Sequence, residues 1–297
     1  MTSDSLAVVI LAAGLSTRFK SAVPKVLHPL AGKPLLEYSL ELASALTEAT
    51  PLLVVGPETE AEIGAWVGER ARLVVQADRL GTGHAVMQTR ALLEGRAANV
   101  LVLYGDMPLL RVETLRALRD RHLASGAAVT MMTVVRDDPQ GFGRIVRDAG
   151  GRIQAIVEQA EATPEIAALR ELNVGIYTFE AGFLWTHLPQ LRPSPRKGEQ
   201  YLTDLIGMAV AEGLPVESLR AADPLEVLGI NTRVELALAA KTLQRRINEH
   251  WMLEGVTFQD PETCYLDSAV VIGRDTVILP NTHLRGKTTI GAGCEIG

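Results

Sequence analysis

The sequence predicts an α/β domain whose sheet is parallel at its core, then a helical arm, then the start of a parallel β-helix. Three observations carry this. Up to about residue 230, short apolar runs alternate with segments of helical spacing; from Thr232 to Glu254 one long helical period takes over; and from Leu266 an aliphatic residue recurs at every sixth position. Strand–helix alternation with short connectors specifies a parallel α/β sheet. A six-residue period specifies a solenoid coil.

The first strand is the apolar run Ala7–Ala12, read as fully buried and ending at the Gly14 turn. Leu52–Val55, Leu73–Val75, Val100–Leu103 and Ala128–Val135 read as further strands. Helical spacing marks segments 35–49, 84–94 and 111–124, the last with Leu115, Leu118 and His122 on one face. Arg192–Gly198, rich in breakers, reads as a surface loop. In the arm, Leu236, Ala240, Leu243, Ile247 and Trp251 recur at spacings of three and four, which predicts one amphipathic helix.

In the tail, Leu266, Ile272, Ile278, Leu284, Ile290 and Ile296 are spaced by six. Val270, Thr276, Thr282, Thr288 and Cys294 follow the first five by four, and Gly stands at 273, 291 and 297. An aliphatic inside residue with a small corner residue builds one flat side of a coil. The division expected is 1–231, 232–254 and 255–297. Because the repeats stop before two full coils, the chain is expected to be a piece of a longer protein.

Composition bounds the function. Hydrophobic residues make up 47% of the 297, ample for a large core, and no apolar run reaches the ~18–20 residues of a membrane span. Met1–Ser5 has no secretory pattern, so a cytoplasmic location without membrane partners is expected. A net charge of −6 argues against a nucleic-acid partner, which needs a basic face. Cys264 and Cys294 lack Cys-x-x-Cys spacing, so neither zinc nor a disulfide framework is implied.

Candidate chemistry gathers where strands end. After the first strand come Leu11, Ala12, Ala13 and Gly14, then two hydroxyls, then Arg18 and Lys25. Small residues let backbone N–H groups approach an anion, and two fixed charges can neutralise phosphates. Neither standard phosphate-loop spacing is met, since Gly14 stands alone. Gln76 closes another strand and precedes Gly81, Thr82 and Gly83, an amide and a tight turn able to read the polar edge of a pyrimidine. Tyr104, Gly105 and Asp106 end the strand at Leu103, where a carboxylate is either a helix cap or a magnesium ligand. Gly143, Glu158, Asn173 and Asn231 each set a polar group or a glycine beside apolar strand residues, as a sugar-binding rim would. His28, His84, His122 and His187 are read as core or surface residues rather than bases.

Order and spacing then decide. The opening loop, Pro24-Lys25, Gln76, Gly81-Thr82-Gly83-His84-Ala85, Tyr104-Gly105-Asp106, the Asp138 to Arg144 stretch, Glu158, Asn173, Thr203-Asp204, Asn231, the arm and the hexapeptides succeed one another along nearly the whole chain. As a series they resemble the bacterial family of bifunctional N-acetylglucosamine-1-phosphate uridylyltransferases/glucosamine-1-phosphate N-acetyltransferases. The resemblance implies a Rossmann-like nucleotidyltransferase domain and a left-handed β-helix. It implies UTP and N-acetylglucosamine 1-phosphate as substrates, UDP-N-acetylglucosamine and pyrophosphate as products, and Mg²⁺ as cofactor. Leu11 to Gly14, Lys25, Gln76, Gly81 and Thr82 would contact the nucleotide. Tyr104, Gly105, Asp106, Gly143, Glu158 and Asn173 would hold the nucleotide sugar, Asp106 and Asn231 the metal, and Arg18 would stabilise the triphosphate during transfer.

The family's acetyl-transfer site lies in later coils, so acetyl transfer is not expected of this chain; the longer protein would be a homotrimer. Phe142, Val174 and Gln200 depart from the family pattern, which has Tyr, Thr and Tyr there, and none is a ligand named above. Two alternatives remain at this point: a uridylyl or thymidylyl transferase for another sugar 1-phosphate, and a nucleotidyltransferase-like regulatory subunit without turnover. Arg18, Lys25, Asp106 and Asn231 together favour catalysis, since a binding subunit needs no metal pair.

Overall fold

The computed structural model describes residues 4–139 and 141–297; Met1–Ser3 and Gln140, which fell in the amino-terminal and sugar-rim readings, lie outside them. The chain opens with β1 (Leu6–Ala12), the hairpin β2 (Pro29–Leu30) and β3 (Lys33–Pro34), and α1 (Leu35–Leu46). Then come β4 (Leu52–Val55), α2 (Glu60–Val67), β5 (Arg72–Val75), α3 (Thr82–Met87), α4 (Arg90–Leu93), β6 (Asn99–Tyr104) and α5 (Val112–Ser125). The second half of the domain holds β7 (Val129–Val135), β8 (Arg144–Arg147), β9 (Ile153–Val157), α6 (Pro164–Ala167) and β10 (Glu171–Glu180). It ends with α7 (Ala181–His187), α8 (Asp204–Ala211), β11 (Val216–Arg220) and the arm α9 (Arg233–Leu253).

The main sheet has the order β11-β7-β10-β6-β1-β4-β5, with β8 and β9 branching from β10. Strands β6, β1, β4 and β5 run parallel, as the alternation predicts. Strand β10 runs antiparallel to both β6 and β7. Its connection from β7 passes through the β8–β9 hairpin rather than a crossover helix, so the chain returns in the opposite direction. Along β1 the side chains alternate between two cores. Ala7, Val9 and Leu11 face the helices α3, α7 and α8, while Leu6, Val8 and Ile10 face α1 and α5. Both faces being covered is why this strand reads as an unbroken apolar run.

Helix ends differ from the sequence reading for local reasons. Helix α1 stops at Leu46, because Thr47 turns extended and its hydroxyl donates to the Leu6 carbonyl at 3.0 Å. The helix expected over 84–94 is split in two at the buried Thr89, whose hydroxyl donates to the Val86 carbonyl at 2.7 Å. In α9 the expected Ala240 is exposed and Ala239 is buried instead, packed with Leu109, Leu228 and Ile230. The helix covers the α/β domain with one flank and the coil with the other, which turns its buried stripe by one residue.

The tail is a parallel coil of two-residue strands: β12 (Thr257–Phe258), β13 (Tyr265–Leu266), β14 (Val271–Ile272), β15 (Val277–Ile278), β16 (His283–Leu284), β17 (Thr289–Ile290) and β18 (Glu295–Ile296). Each of β13, β14 and β15 pairs in parallel with the strand three repeats on, so three repeats make one turn. Leu266, Ile272, Ile278 and Leu284 fill the axis, and Ile290 and Ile296 are half-buried. A Cβ at Gly273 would lie 2.4 Å from the Ala292 nitrogen, so the close approach of successive coils requires glycine there. The arm clamps this coil through Asn248, which donates to the Pro261 and Cys264 carbonyls at 2.7 and 3.0 Å, and through Gln244, which accepts from the Leu266 N–H at 3.0 Å. Both cysteines are free, and among the described residues no helix is long and apolar enough to cross a membrane.

Candidate active site

The chain fills β1, β4 and β5 on one side and then returns to place β6 on the other side of β1. Loops leaving β1 and β6 at their carboxyl ends diverge there, and a crevice opens between them, as expected where strand order reverses. The crevice holds ≈ 570 Å³. Its walls carry Leu11 to Arg18, Lys25, Gln76, Gly81, Thr82, Tyr104, Asp106 and Asn231. Residues more than two hundred positions apart in sequence thus share one cavity.

Lys25 stands on a short helical turn, Lys25–Leu27, entered through Pro24, which sends its side chain inward. The side chain is 9% exposed, and its ammonium donates to Asp106 Oδ2 at 2.5 Å and to Asn231 Oδ1 at 3.3 Å. The sequence reading aimed this lysine at phosphates; here its charge is spent on the carboxylate. Gly105 lets that strand end lie flat: a Cβ on it would meet Leu36 at 3.1 Å and Val26 at 3.4 Å. The Asp106 carbonyl accepts from the Ile230 N–H at 2.9 Å, which brings Asn231 to the same wall. Arg18 is exposed at the rim and has no ion-pair partner among the described residues.

Asp106 and Asn231 are the residues that could hold a divalent cation here. The donor chemistry fits, since both oxygens are hard and both converge on one point already held by a positive charge, the Lys25 ammonium. Two protein oxygens suffice for magnesium, which takes its remaining ligands from phosphate and water. No cluster of three or more His, Cys, Asp or Glu side chains that could hold a metal occurs among the described residues.

Gln76 is 4% exposed, and its Nε2 donates to the Gly81 carbonyl at 3.0 Å. Gly81 has φ +104°, and a Cβ there would sit 2.6 Å from the Gln200 carbonyl oxygen. Gly83 N–H donates to that same oxygen at 2.9 Å. The glycines therefore admit the backbone of the 191–200 loop, a reason that differs from the ligand approach expected of them. Thr82 Oγ1 accepts from the Leu202 N–H at 3.0 Å, closing the same junction.

Gly143, Glu158 and Asn173 lie outside the walls of this crevice, on the β8–β9–β10 side. Asn173 Oδ1 accepts from the Gly175 N–H at 3.1 Å and the Tyr177 hydroxyl at 2.9 Å, holding a bulge in β10. Gly175, with φ +88°, leaves room for Tyr104, whose ring carbon would be 2.8 Å from a Cβ. Burial, then the Asp106 and Glu158 carboxylates, push the Tyr104 hydroxyl well above its usual range, so it stays a neutral donor. Burial likewise raises Glu158, partly offset by a 3.1 Å hydrogen bond from the Thr203 hydroxyl.

Two wall residues escaped the sequence reading. Arg79 donates through Nε to the Ala13 carbonyl at 2.8 Å and pairs with Glu58, bracing the β1 loop from behind. A basic residue so soon after Gln76 at a strand end was a usable signal. Glu199 reaches the crevice from the 191–200 loop, and no local pattern marks it.

Residues 8–179 match the MobA-like NTP transferase domain, and residues 269–297 match the bacterial transferase hexapeptide. The bifunctional protein GlmU of Geobacter metallireducens is 45% identical over 292 residues, covering 98% of this chain and 61% of the relative. That of Pelobacter propionicus is 46% identical, covering 99% of this chain and 64% of the relative; for Enterococcus faecalis the values are 45%, 97% and 63%. The chain spans about three fifths of the length of these curated relatives. Among solved structures, a Bacillus anthracis protein described as a glucose-1-phosphate thymidylyltransferase in complex with a sucrose aligns with TM-score 0.64 at 19% identity, over 80% of this chain and 94% of that one. UDP-glucose pyrophosphorylase complexed with UDP-glucose aligns with TM-score 0.63 at 16% identity, over 82% and 99%. These two show the fold alone. The domain match over residues 8–179, more than half of the 297-residue chain, means that the chain belongs to the MobA-like NTP transferase domain family, and it is a homologue of the bifunctional GlmU proteins.

Proposed function

We propose that this chain transfers uridylyl from UTP to N-acetylglucosamine 1-phosphate, giving UDP-N-acetylglucosamine and pyrophosphate. The observation that supports it most is the convergence of Asp106, Asn231 and Lys25 on one wall of a crevice whose rim carries the exposed Arg18. The nucleophile is a phosphate oxygen of the sugar 1-phosphate, already anionic, so no general base is required. It attacks the α-phosphorus; the bond to the oxygen bridging to the β-phosphate breaks, and pyrophosphate leaves with that electron pair. Catalysis is then the alignment of two repelling anions and the neutralisation of charge on the leaving group.

Arg18 supplies that neutralisation from the rim, and the N–H groups of residues 11–14 approach the phosphates. Gln76 and the Gly81–Thr82 turn face the uracil, while Tyr104, Gly143, Glu158 and Asn173 form the sugar side. Asp106 and Asn231 would hold Mg²⁺, which when bound supplies Lewis-acid stabilisation at the α-phosphate. We divide the chain at 1–231, 232–254 and 255–297 where its period changes, assign the reaction to the cytoplasm, and infer a homotrimeric assembly by the resemblance given above.

The test is pyrophosphate release from the purified protein with Mg²⁺ and a panel of nucleotides and sugar 1-phosphates. UTP with N-acetylglucosamine 1-phosphate should be the preferred pair. A site that hydrogen-bonds the uracil edge should reject CTP by up to ~10⁴-fold, because the wrong base leaves buried polar groups unpaired. Equal use of UTP and CTP, or a preference for glucose 1-phosphate, would overturn the assignment.

A further inference from the structure

We propose that Glu235, on the first turn of the arm helix, is a positioning residue for Asn231, and that the arm is thereby part of the active-site frame. This rests on the reading of Asp106 and Asn231 given above. A capping box closes two bonds, from the N-cap N–H and from the N3 N–H. Both are made here: Thr232 N–H donates to Glu235 Oε2 at 2.5 Å, and Glu235 N–H donates to Thr232 Oγ1 at 3.3 Å. The same Oε2 also accepts from the Asn231 N–H at 2.7 Å, one residue beyond the box.

That extra bond falls on the residue whose side-chain oxygen faces Lys25 in the crevice. Asn231 is thus gripped on both sides, by Glu235 after it and, through Ile230, by the Asp106 carbonyl before it. An asparagine side chain has two torsions, so the place of its oxygen is set mainly by its backbone. Two residues further, the Arg233 guanidinium lies 4.9 Å from the centre of the Phe19 ring, and Phe19 belongs to the turn that carries Arg18. The helix start therefore touches both halves of the crevice. Its far end is fastened to the coil by Gln244 and Asn248.

The experiment compares Glu235→Ala, Glu235→Gln and Thr232→Ala in the full chain. Turnover is measured beside Mn²⁺ affinity, read by electron paramagnetic resonance in the presence of UDP-N-acetylglucosamine. Residues that orient a metal ligand typically change affinity or activity ~10–100-fold, so Glu235→Ala should weaken Mn²⁺ at least about tenfold and lower kcat similarly. The KM for UTP should stay within about twofold, because Asn231 is not a base-contacting residue. Glu235→Gln keeps an acceptor oxygen and should return both values to within about threefold. Thr232→Ala removes both bonds of the Thr232 hydroxyl, the one it accepts from the Glu235 N–H and the one it donates to Glu235 Oε2 at 2.9 Å, but leaves the two backbone N–H donors, of Asn231 and of residue 232, on that oxygen; it should lower the melting temperature while leaving Mn²⁺ affinity in place.

Wild-type Mn²⁺ affinity in Glu235→Ala would overturn the proposal, as would a loss in Thr232→Ala equal to that in Glu235→Ala, which would make the role one of helix stability. Should the wild type bind Mn²⁺ no better than Asp106→Asn, the reading of the site itself falls, and that comparison tells the two failures apart.

Discussion

Replacing Lys25 by Met removes the positive charge paired with Asp106 inside the crevice. The Lys25 side chain is 9% exposed and that of Asp106 18%, so water compensates only a little for the lost partner. Stripping one member from a fully buried ion pair costs about 3–5 kcal/mol, chiefly because the other charge stays buried and unpaired. The residual access of water to Asp106 brings the expected loss for Lys25→Met to about 2–3 kcal/mol. The second substitution isolates the cause. In Lys25→Met with Asp106→Asn no buried charge is left alone, so the double variant should lie within about 1 kcal/mol of wild type and be clearly more stable than Lys25→Met. Activity should not follow stability. Both Lys25→Met and the double variant should lose at least ~10²-fold in turnover, the scale of removing a main electrostatic contact. Urea unfolding followed by tryptophan fluorescence gives the stability cycle, and pyrophosphate release gives the rates. Additive destabilisation in the double variant would refute the claim that Lys25 neutralises Asp106, and near-normal turnover would remove the pair from the chemistry.

Gly81→Ala places a side chain at φ +104°, where its Cβ meets the Gln200 backbone; strain of ~1–3 kcal/mol and the displaced 191–200 loop should lower the melting temperature and raise KM for UTP more than they change kcat. An unchanged KM would show that this junction does not shape the nucleotide side. The buried His122, bonded to Thr130 and Asn99, is held neutral by burial with a pKa of about 4, only slightly opposed by Glu180. Unfolded chains bind that proton at about pH 6.5, so between these values the unfolded state takes up more protons and stability falls as pH drops. The contribution, ~3 kcal/mol at most, is intact above pH 6.5; His122→Gln should flatten the profile between pH 7 and 4.5, and an unaltered slope in urea titrations would exclude His122 as its source.

Much of this was legible locally. The run through β1 is apolar at both parities because the strand is covered on both faces, and the hexad period survives because every third repeat stacks directly on its predecessor. The crevice residues from Leu11 to Gly14, with Gln76, Gly81, Thr82, Tyr104 and Asp106, were marked by their place at strand ends. Arg79 and Glu199 were missed because one reaches the crevice as a brace for another loop and the other through a loop closed on the Gly81 turn. The antiparallel β10 was invisible because an apolar strand carries no mark of its direction.

The sequence by itself determined the periods, the breaks between them and the residue types at each strand end, since these depend on neighbours within a few positions. Only the tertiary structure decided what those residues face. Lys25 meets a carboxylate because Asp106 and Asn231 arrive from distant parts of the chain and leave its side chain nearly dry. Gly81 and Gly83 admit a backbone from the 191–200 loop, and the Glu235 carboxylate finds Asn231 only once α9 is laid against the sheet. Such contacts are made between segments whose separation along the chain exceeds any local pattern, so packing rather than periodicity fixes them.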